Sequence, residues 1–272
     1  MTNRDVRITI ITSTYNCAES LVRTADSIRN QTYKNIQWII ADGSSTDHTL
    51  SVIASNADII SFWSSEPDSG IYDAWNKACR HIDGDWVIFM GAGDLFFTND
   101  TVKTVASSLA QLSSEKIIAY GDVYLIDNKS NIIGHYGKLK KKWECNRLAV
   151  PAHQGVFQRA HCFNVDSPFD VSYKIAADSK FLIMHTVEEE PFYIGKPVAL
   201  MDSGGISSSE SHRDKIHAEI RRMNAEVGIF PPAWHTAKIF ALEKFKKIFN
   251  LILPSKIFTM IVNLKRHFFG MR

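Results

Sequence analysis

One carboxylate in this chain stands where a carboxylate can do chemistry. Asp94 follows Gly91-Ala92-Gly93, which in turn follow Trp86 to Met90, an unbroken apolar run of about strand length. A strand buried on both faces of a parallel sheet reads this way. The small residues after it let a ligand approach the backbone closely. An acid just past the carboxyl end of such a strand sits where open α/β sheets bind ligands. It can hold a divalent cation beside a diphosphate. The same acid would equally serve to cap a helix beginning near Asn99. A second group of residues follows the first apolar run: Thr14, Tyr15 and Asn16 offer an aromatic ring for stacking and polar groups for hydrogen bonds. Asp42, at the end of the next run, can accept from a base imino group or a ribose hydroxyl. Together these suit a single nucleotide held without a glycine-rich cradle. Taken singly, Tyr15 is also readable as a ring packed on a sheet edge and Asp42 as an Asx-turn.

The elements that must position these residues alternate. Arg7 to Thr12 reads as a β-branched strand, and Leu21, Ala25 and Ile28 recur at helical spacing within a helix from about Ala18 to Asn30. Ile36 to Ala41 is a second strand; it runs through Asp42-Gly43-Ser44-Ser45-Thr46-Asp47 into a helix capped by Thr46 or Asp47. Ile59 to Trp63 is a third strand, a helix covers about Gly70 to His81, and Trp86 to Met90 is the fourth strand. Strand and helix alternating over short connections mean βαβ units and a parallel sheet. The first loop has no Gly-x-Gly-x-x-Gly and no Gly-Lys-Ser/Thr, which excludes the dinucleotide fingerprint and the P-loop. Thr12 to Asn16 also lacks the Gly-rich, Arg- and Lys-bearing loop of a sugar-phosphate nucleotidyltransferase.

At 272 residues, 45% hydrophobic and 22% charged, the chain has the means for a sizeable core. Cys17, Cys79, Cys145 and Cys162 are far apart with no Cys-x-x-Cys pair, which argues against a zinc site and a disulfide framework. The polar start leads straight into a strand with no signal peptide, so a cytoplasmic, reducing compartment is expected.

Three segments carry a resemblance. Ser13-Thr14-Tyr15-Asn16, Ala41-Asp42-Gly43-Ser44-Ser45-Thr46-Asp47 and Glu66-Pro67-Asp68-Ser69-Gly70-Ile71-Tyr72-Asp73-Ala74-Trp75-Asn76-Lys77-Ala78 resemble the inverting family 2 glycosyltransferases. With the Gly91–Asp94 segment they make four motifs in the family's order over about the first hundred residues. The likeness is greatest to the bacterial subgroup that builds O-antigen and other surface polysaccharides. It implies the GT-A fold, an α/β architecture with a mostly parallel central sheet flanked by helices. It also implies that Tyr15 stacks on the nucleobase of a nucleotide-sugar donor and that Asp42 hydrogen-bonds it. Thr14, Asn16, Ser44, Asp68, Gly70, Asp73, Asn76, Lys77 and Gly93 would complete the donor pocket, with Lys77 steadying phosphate or sugar. The focal segment aligns with an Asp-x-Asp-Asp metal motif, but Gly91 and Gly93 stand where carboxylates are often found. Asp94 matches the last acid, leaving it alone to hold Mg²⁺ or Mn²⁺.

The second half is sparser. Glu115 to Asp127 reads as helix end and strand, and Lys138 to Lys142 as a short basic patch, a solvated face or a contact for an anionic acceptor or lipid headgroup. Pro151-Ala152-His153-Gln154-Gly155 resembles the family's His-Gln segment near the acceptor sugar; alone, His153 reads as a structural histidine. Phe169 to Asp178 is expected to open a helix running to about Met184. In the family that position carries the catalytic base, which makes Asp178 the candidate, while Asp170 suits a first-turn acid favoured by the helix dipole. Val198 to Met201 is a last strand. Gly204-Gly205-Ile206-Ser207 resembles a family loop that folds over the diphosphate, and His212 to Val227 is a charged helix.

The expected division is a catalytic domain over 1–228, with donor half about 1–115 and acceptor half about 116–228, and a tail over 229–272. From His235 onward eight lysines and arginines face one acid, Glu243, so the tail is positive and the rest of a chain of net charge +2 is negative. Segments Trp234 to Leu253 and Ser255 to Phe269 are amphipathic and basic, suited to an anionic membrane surface or to packing on protein. No reading motif for nucleic acid accompanies the charge. The chain reads as a cytoplasmic, membrane-peripheral transferase acting on a glycan or lipid-linked glycan acceptor. The contrasting reading is a non-catalytic nucleotide-sugar-binding scaffold with an eroded metal motif, supported by Gly91 and Gly93.

Overall fold

The structure, a computed structural model, describes residues 5–144, 146–187, 189–202, 213–239 and 241. The basic tail beyond 241, the Gly204–Ser207 segment and Cys145 lie outside the described residues. Strand β1 (Ile8–Thr14) leads through α1 (Ala18–Arg29) to β2 (Ile36–Asp42), and α2 (Thr49–Ser55) leads on to β3 (Phe62–Ser65). Helix α3 (Ile71–Cys79) then returns to β4 (Trp86–Phe89), which pairs in parallel with β1 on the side away from β2. The strand order therefore reverses between β1 and β4, and their carboxyl ends open the crevice where such sheets bind ligands.

Beyond β4 the chain adds β5 (Leu95–Phe96), α4 (Thr101–Leu109), β6 (Ile118–Ile126) and β7 (Ile132–Tyr136). A small pair, β8 (Trp143–Glu144) and β9 (Arg147–Leu148), precedes β10 (Val156–Arg159), α5 (Ala177–Thr186), β11 (Phe192–Asp202) and α6 (Arg213–Val227). The main sheet runs β3-β2-β1-β4-β10-β6-β11-β5, with β7 on β6. Only β10, β5 and β7 run against the parallel set.

Alternation explains the unbroken apolar run at β4. Val87 and Phe89 face a core shared with α3, α5 and α6, whereas Trp86 and Ile88 face a core shared with α1, α2 and α4. Both faces are covered, and all four positions of β4 are apolar.

Several expected boundaries move. The third strand is Phe62–Ser65 rather than 59–63, since Ile59 and Ile60 pack under the sheet edge before pairing begins. Helix α2 is capped at His48, with the Asp47 carboxylate taking the Thr49 N–H at 2.9 Å and the Ala18 N–H at 3.2 Å. The helix before β6 ends at Leu109, short of Glu115. The last strand is eleven residues long, not four; Gly195 at φ +70 and Pro197 interrupt its register with β6 and hide its amino-terminal half from propensity.

The largest revision concerns Asp178. Phe169 to Ala176 is not helical; α5 begins at Ala177. Asp170 accepts from the Ser172 N–H at 3.0 Å and hydroxyl at 2.5 Å in an Asx-turn, and pairs with Lys180 at 2.9 Å. It serves no helix terminus. Helix α6 holds this segment: the buried Glu219 carboxylate accepts the backbone N–H groups of Lys174, Ile175 and Ala176 at 2.8, 2.9 and 2.9 Å. Glu226 accepts from Tyr173 at 2.8 Å and pairs with Lys180 and Arg222, each at 2.6 Å. Charge-assisted bonds of this kind are the strong ones.

Two expectations follow. A Cβ at Gly121 would overlap the Lys196 carbonyl and lie 2.5 Å from the Val198 side chain. Gly121→Ala should therefore destabilise by about 1–3 kcal/mol in denaturant unfolding, because backbone cannot step aside. Bonds from Lys180, Arg222 and Tyr173 hold the Glu226 pKa at about 2, and against partial burial Ser172 and Lys180 hold that of Asp170 at about 2. Both bind protons less tightly folded than unfolded, so their stabilisation is complete above about pH 4.5 and fades as pH falls toward 2. In Glu226→Gln, melting temperature plotted against pH should lose part of its acid slope while lying below wild type at pH 7. A slope unchanged by the substitution would remove this cluster from the account.

Candidate functional site

Parallel register sets the first cluster. Thr14 pairs with Asp42 and Asp42 with Ser65 across β1, β2 and β3, so three strand ends present their side chains at one level. Asp42 is 2% exposed. Its Oδ1 accepts from the Thr14 hydroxyl at 2.8 Å and the Ser45 hydroxyl at 2.5 Å; its Oδ2 accepts from the Ser45 N–H at 2.8 Å and the Ser65 hydroxyl at 2.7 Å. Against burial, which pushes the carboxyl up, these bonds hold its pKa below the usual range. The Ser45 N–H stands three residues on, not the two of an Asx-turn, and through these bonds Asp42 ties three strand ends together.

Asn16 adopts φ 47 and accepts the Thr46 N–H at 2.8 Å, while its own N–H goes to the Ser45 hydroxyl at 2.9 Å. Ser44 at φ 61 turns the second loop toward it. Above this floor Tyr15 is 67% exposed, a ring packed on little of the protein. Gly43 is needed here: a Cβ would lie 2.5 Å from Asp68 Oδ2 and 3.5 Å from the Tyr15 ring. Asp68 bonds the Gly70 N–H at 2.9 Å, and Asp73 bonds the Ser69 N–H at 2.9 Å, shaping the turn into α3. Tyr15, Asp42, Ser44 and Asp68 therefore converge on one edge.

Two residues expected in that group are engaged elsewhere. The Asn76 amide is buried, donating to the Phe169 carbonyl at 2.7 Å and accepting the Phe169 N–H at 2.9 Å. Lys77 donates to the Pro67 carbonyl at 2.8 Å and lies 3.6 Å from both Glu66 and Asp73. Asn76 joins the two halves of the chain, and Lys77 braces the loop.

The second cluster follows β4. Asp94, 7% exposed, accepts the Gly91 N–H at 2.9 Å, so it caps its own turn and not the helix beginning at Thr101. Thr24 of α1 holds the turn, accepting the Gly93 N–H at 2.9 Å and donating to the Asp94 carbonyl at 3.0 Å. Leu95 pairs antiparallel with Leu200, which brings Gly93 and Asp94 level with the end of β11 at Asp202. There Asp202 is paired with Arg23. Burial pushes the Asp94 carboxyl up to about 7; the Gly91 N–H pulls it back and the Asp202 charge pushes it further up. Neither Asp202 nor Arg23 is signalled in the sequence: Asp202 arrives by a strand pairing 105 residues distant from β5, and Arg23 from α1.

A Cβ at Gly91 would lie 3.0 Å from Asp94 Oδ2, and one at Gly93, φ +103, would lie 3.0 Å from Asp202 Oδ2. The space two side chains vacate is faced by carboxylate oxygens, the donor set a hard divalent cation takes. The residues fit Mg²⁺ or Mn²⁺ to this extent; among the described residues no group of three or more His, Cys, Asp or Glu forms a ready cage.

The third cluster joins α3 to α5. Asp178 sits half-buried in the first turn of α5, its Oδ1 accepting the Ser179 N–H at 2.7 Å and the Tyr72 hydroxyl at 3.2 Å. Burial and the Asp178 charge raise the Tyr72 pKa well above its ordinary value, so the phenol remains a donor. The buried His153 ring stacks against Trp75 at 5.1 Å and Phe89 at 5.2 Å, with the Gln158 amide 3.5 Å away. Burial lowers its pKa, against the pull of Asp178, which keeps the ring neutral near pH 7. Gln154 is half-buried in the same turn. Phe89 ends β4 and touches His153, Asp94 follows five residues later, and Tyr72 stands in the first turn of α3. The two candidate carboxylates thus belong to the same edge of the sheet, one from each half. The Lys138–Lys142 patch is exposed except at Leu139, which packs on the core.

The family described as Glycosyl transferase family 2 matches residues 9–163, more than half of the chain. An uncharacterized glycosyltransferase of Mycobacterium tuberculosis is 28% identical over 220 residues, 79% of this chain and 82% of that protein. A PGL/p-HBAD biosynthesis glycosyltransferase of Mycobacterium bovis is 30% identical over 177 residues, 64% of this chain and 67% of that one. Among solved structures, S. aureus TarS in complex with UDP superposes with a TM-score of 0.58 at 16% identity, over 80% of this chain and 71% of that chain. The mannosyltransferase PcManGT from Pyrobaculum calidifontis, in complex with GDP-Man and Mn²⁺, gives 0.53 at 20% identity, over 78% and 61%. With a family match across all four motif-bearing segments and a sheet of the same kind, the chain belongs to glycosyltransferase family 2 and is a glycosyltransferase of the GT-A fold.

Proposed function

We propose that the protein transfers one sugar, with inversion, from a nucleoside-diphosphate-sugar to a hydroxyl of a bacterial polysaccharide repeat unit carried on a lipid. The observation that carries this reading is the Tyr72–Asp178 bond at 3.2 Å, which ties a carboxylate of the second half to the helix following the donor-half loops. UDP in TarS and GDP-Man in PcManGT support a nucleotide sugar as donor. The exposed Tyr15 ring would stack on the base, and Asp68 and Ser44 would face the nucleoside from the same edge. Thr14, Asn16, Asp73, Gly70 and Lys77 would shape that pocket, and Asp42 would hold its floor.

Inverting transfer is an in-line displacement in which the acceptor hydroxyl loses its proton as it attacks the anomeric carbon. The described bonds to Asp178 both end on Oδ1, leaving Oδ2 as the oxygen to take that proton. His153 feels the Asp178 charge, and with Gln154 in the same turn it would face the acceptor. Neutral and buried, His153 would hold its aromatic neighbours and the turn rather than carry charge. Divalent metal held at Asp94 would neutralise charge on the departing diphosphate. Orientation and charge stabilisation supply most of the acceleration.

Membrane association is proposed from the basic, amphipathic tail in the sequence. No helix among the described residues is long and apolar enough to cross a membrane. A peripheral position on the inner face of the cytoplasmic membrane would bring the site to a lipid-linked acceptor. Tail-truncated protein ending at 232 should then lose sedimentation with vesicles containing anionic lipid while keeping its nucleotide affinity; sedimentation that persists would refute the assignment.

Asp178→Asn should lower transfer by about a hundredfold or more, with nucleotide-sugar affinity unchanged by calorimetry. Tyr72→Phe should lower kcat about tenfold and leave the donor KM where it was, as removal of a transition-state interaction does. Transfer retained by Asp178→Asn would end the base assignment. A nucleotide-sugar panel read by thermal shift with Mn²⁺ would identify the donor as the compound giving the largest rise in melting temperature.

A further inference from the structure

The focal segment has glycines at 91 and 93, where the family resemblance would put acids, yet the structure fills one of those places. A Cβ at Gly93 would lie 3.0 Å from Asp202 Oδ2 and 3.3 Å from Arg23 Nη2. An acid at 93 would therefore project into the position that the Asp202 carboxylate now takes. The antiparallel pairing of Leu95 with Leu200 brings Asp202 there from the end of β11, and Thr24 of α1 fixes the Gly93 turn against it. We propose that Asp202 is the second carboxylate of the divalent-cation site, supplied in space by β11 where the Gly91–Asp94 segment lacks it in sequence. Arg23 holds that carboxylate until the cation arrives.

This rests on the reading that a divalent cation binds at Asp94. Two carboxylates side by side repel unless a cation lies between or beside them, and in this structure the Arg23 guanidinium takes that part. A divalent ion has a higher charge in a smaller volume and takes carboxylate oxygens directly. Its arrival exchanges one cation for another: Asp202 leaves Arg23 and turns to the metal. Arg23, on α1 and 43% exposed at its side chain, is then free to face a phosphate oxygen of the donor. Glycine at 93 is required twice, for its φ of +103 and for the room it leaves Asp202.

The test uses Mn²⁺ alone, titrated into the full-length protein and followed by the electron paramagnetic resonance signal of the free ion. Wild type is compared with Asp94→Asn, Asp202→Asn and Arg23→Gln, each checked by melting temperature. Because Arg23 and Asp202 form a partly exposed pair, neither substitution should prevent folding. Asp94→Asn and Asp202→Asn should each weaken Mn²⁺ binding on the order of tenfold or more. Arg23→Gln should tighten it a few-fold, since the competing cation is gone. Wild-type affinity in Asp202→Asn, with affinity lost in Asp94→Asn, would overturn the role of Asp202 and leave the cation at Asp94 standing. Unchanged affinity in Asp94→Asn would remove the cation reading itself. Looser or unaltered binding in Arg23→Gln would overturn the exchange, and this variant decides the point even where Asp202→Asn proves unstable.

Discussion

The arrangement depends on one buried amide. Asn76 on α3 uses both ends of its side chain on the peptide groups of Phe169, at 2.7 and 2.9 Å, across 93 residues of sequence. Leaving either peptide group unpaired in the core would cost its desolvation, so the contact is made or the halves separate. Once it is made, Phe169 joins the aromatic group of Tyr72, Trp75 and Phe89, and the start of α5 comes down over α3. Asp178 reaches Tyr72 as a consequence. The residue that family likeness assigns to the donor pocket is in this chain the fastener between donor half and acceptor half.

Helix α6 completes what Asn76 begins. Phe169 to Ala176 makes no regular structure and would leave its N–H groups to water; Glu219 takes three of them from the amino-terminal approach to α5. A buried carboxylate at that place is favoured by the helix dipole as well as by the bonds. The helix that the sequence presents as merely charged is therefore part of the apparatus that holds Asp178. Its charged residues point to named partners: Glu226 and Arg222 to Tyr173, Lys180 and Asp170.

The donor half was legible because its signals are local. Strands β1, β2 and β4 are short stretches rich in β-branched and apolar residues, and the turns after them carry polar residues within a few positions of each other. The register that aligns Thr14, Asp42 and Ser65 follows from parallel pairing alone. What was not legible is long-range. Asp202 meets Asp94 through a β5–β11 pairing between a two-residue strand and one broken by Gly195 and Pro197, and neither yields a pattern. Tyr72 and Asp178 are 106 residues apart, and Asn76 reads as one more polar residue of a motif. The boundary of α5 was misplaced because the preceding turns are held by side chains from α6, not by their own propensity.

On the proposed function, a metal-bound diphosphate and the Asp178 carboxylate would lie at one edge of the sheet, within reach of a single sugar. Paramagnetic relaxation by Mn²⁺ tests this directly. With Mn²⁺ and whichever of uridine or guanosine diphosphate binds, the methyl signals of Ala177 and Ile175, neighbours of Asp178, should broaden strongly and recover when Mg²⁺ replaces Mn²⁺. Signals that stay sharp with the metal and nucleotide bound would contradict it.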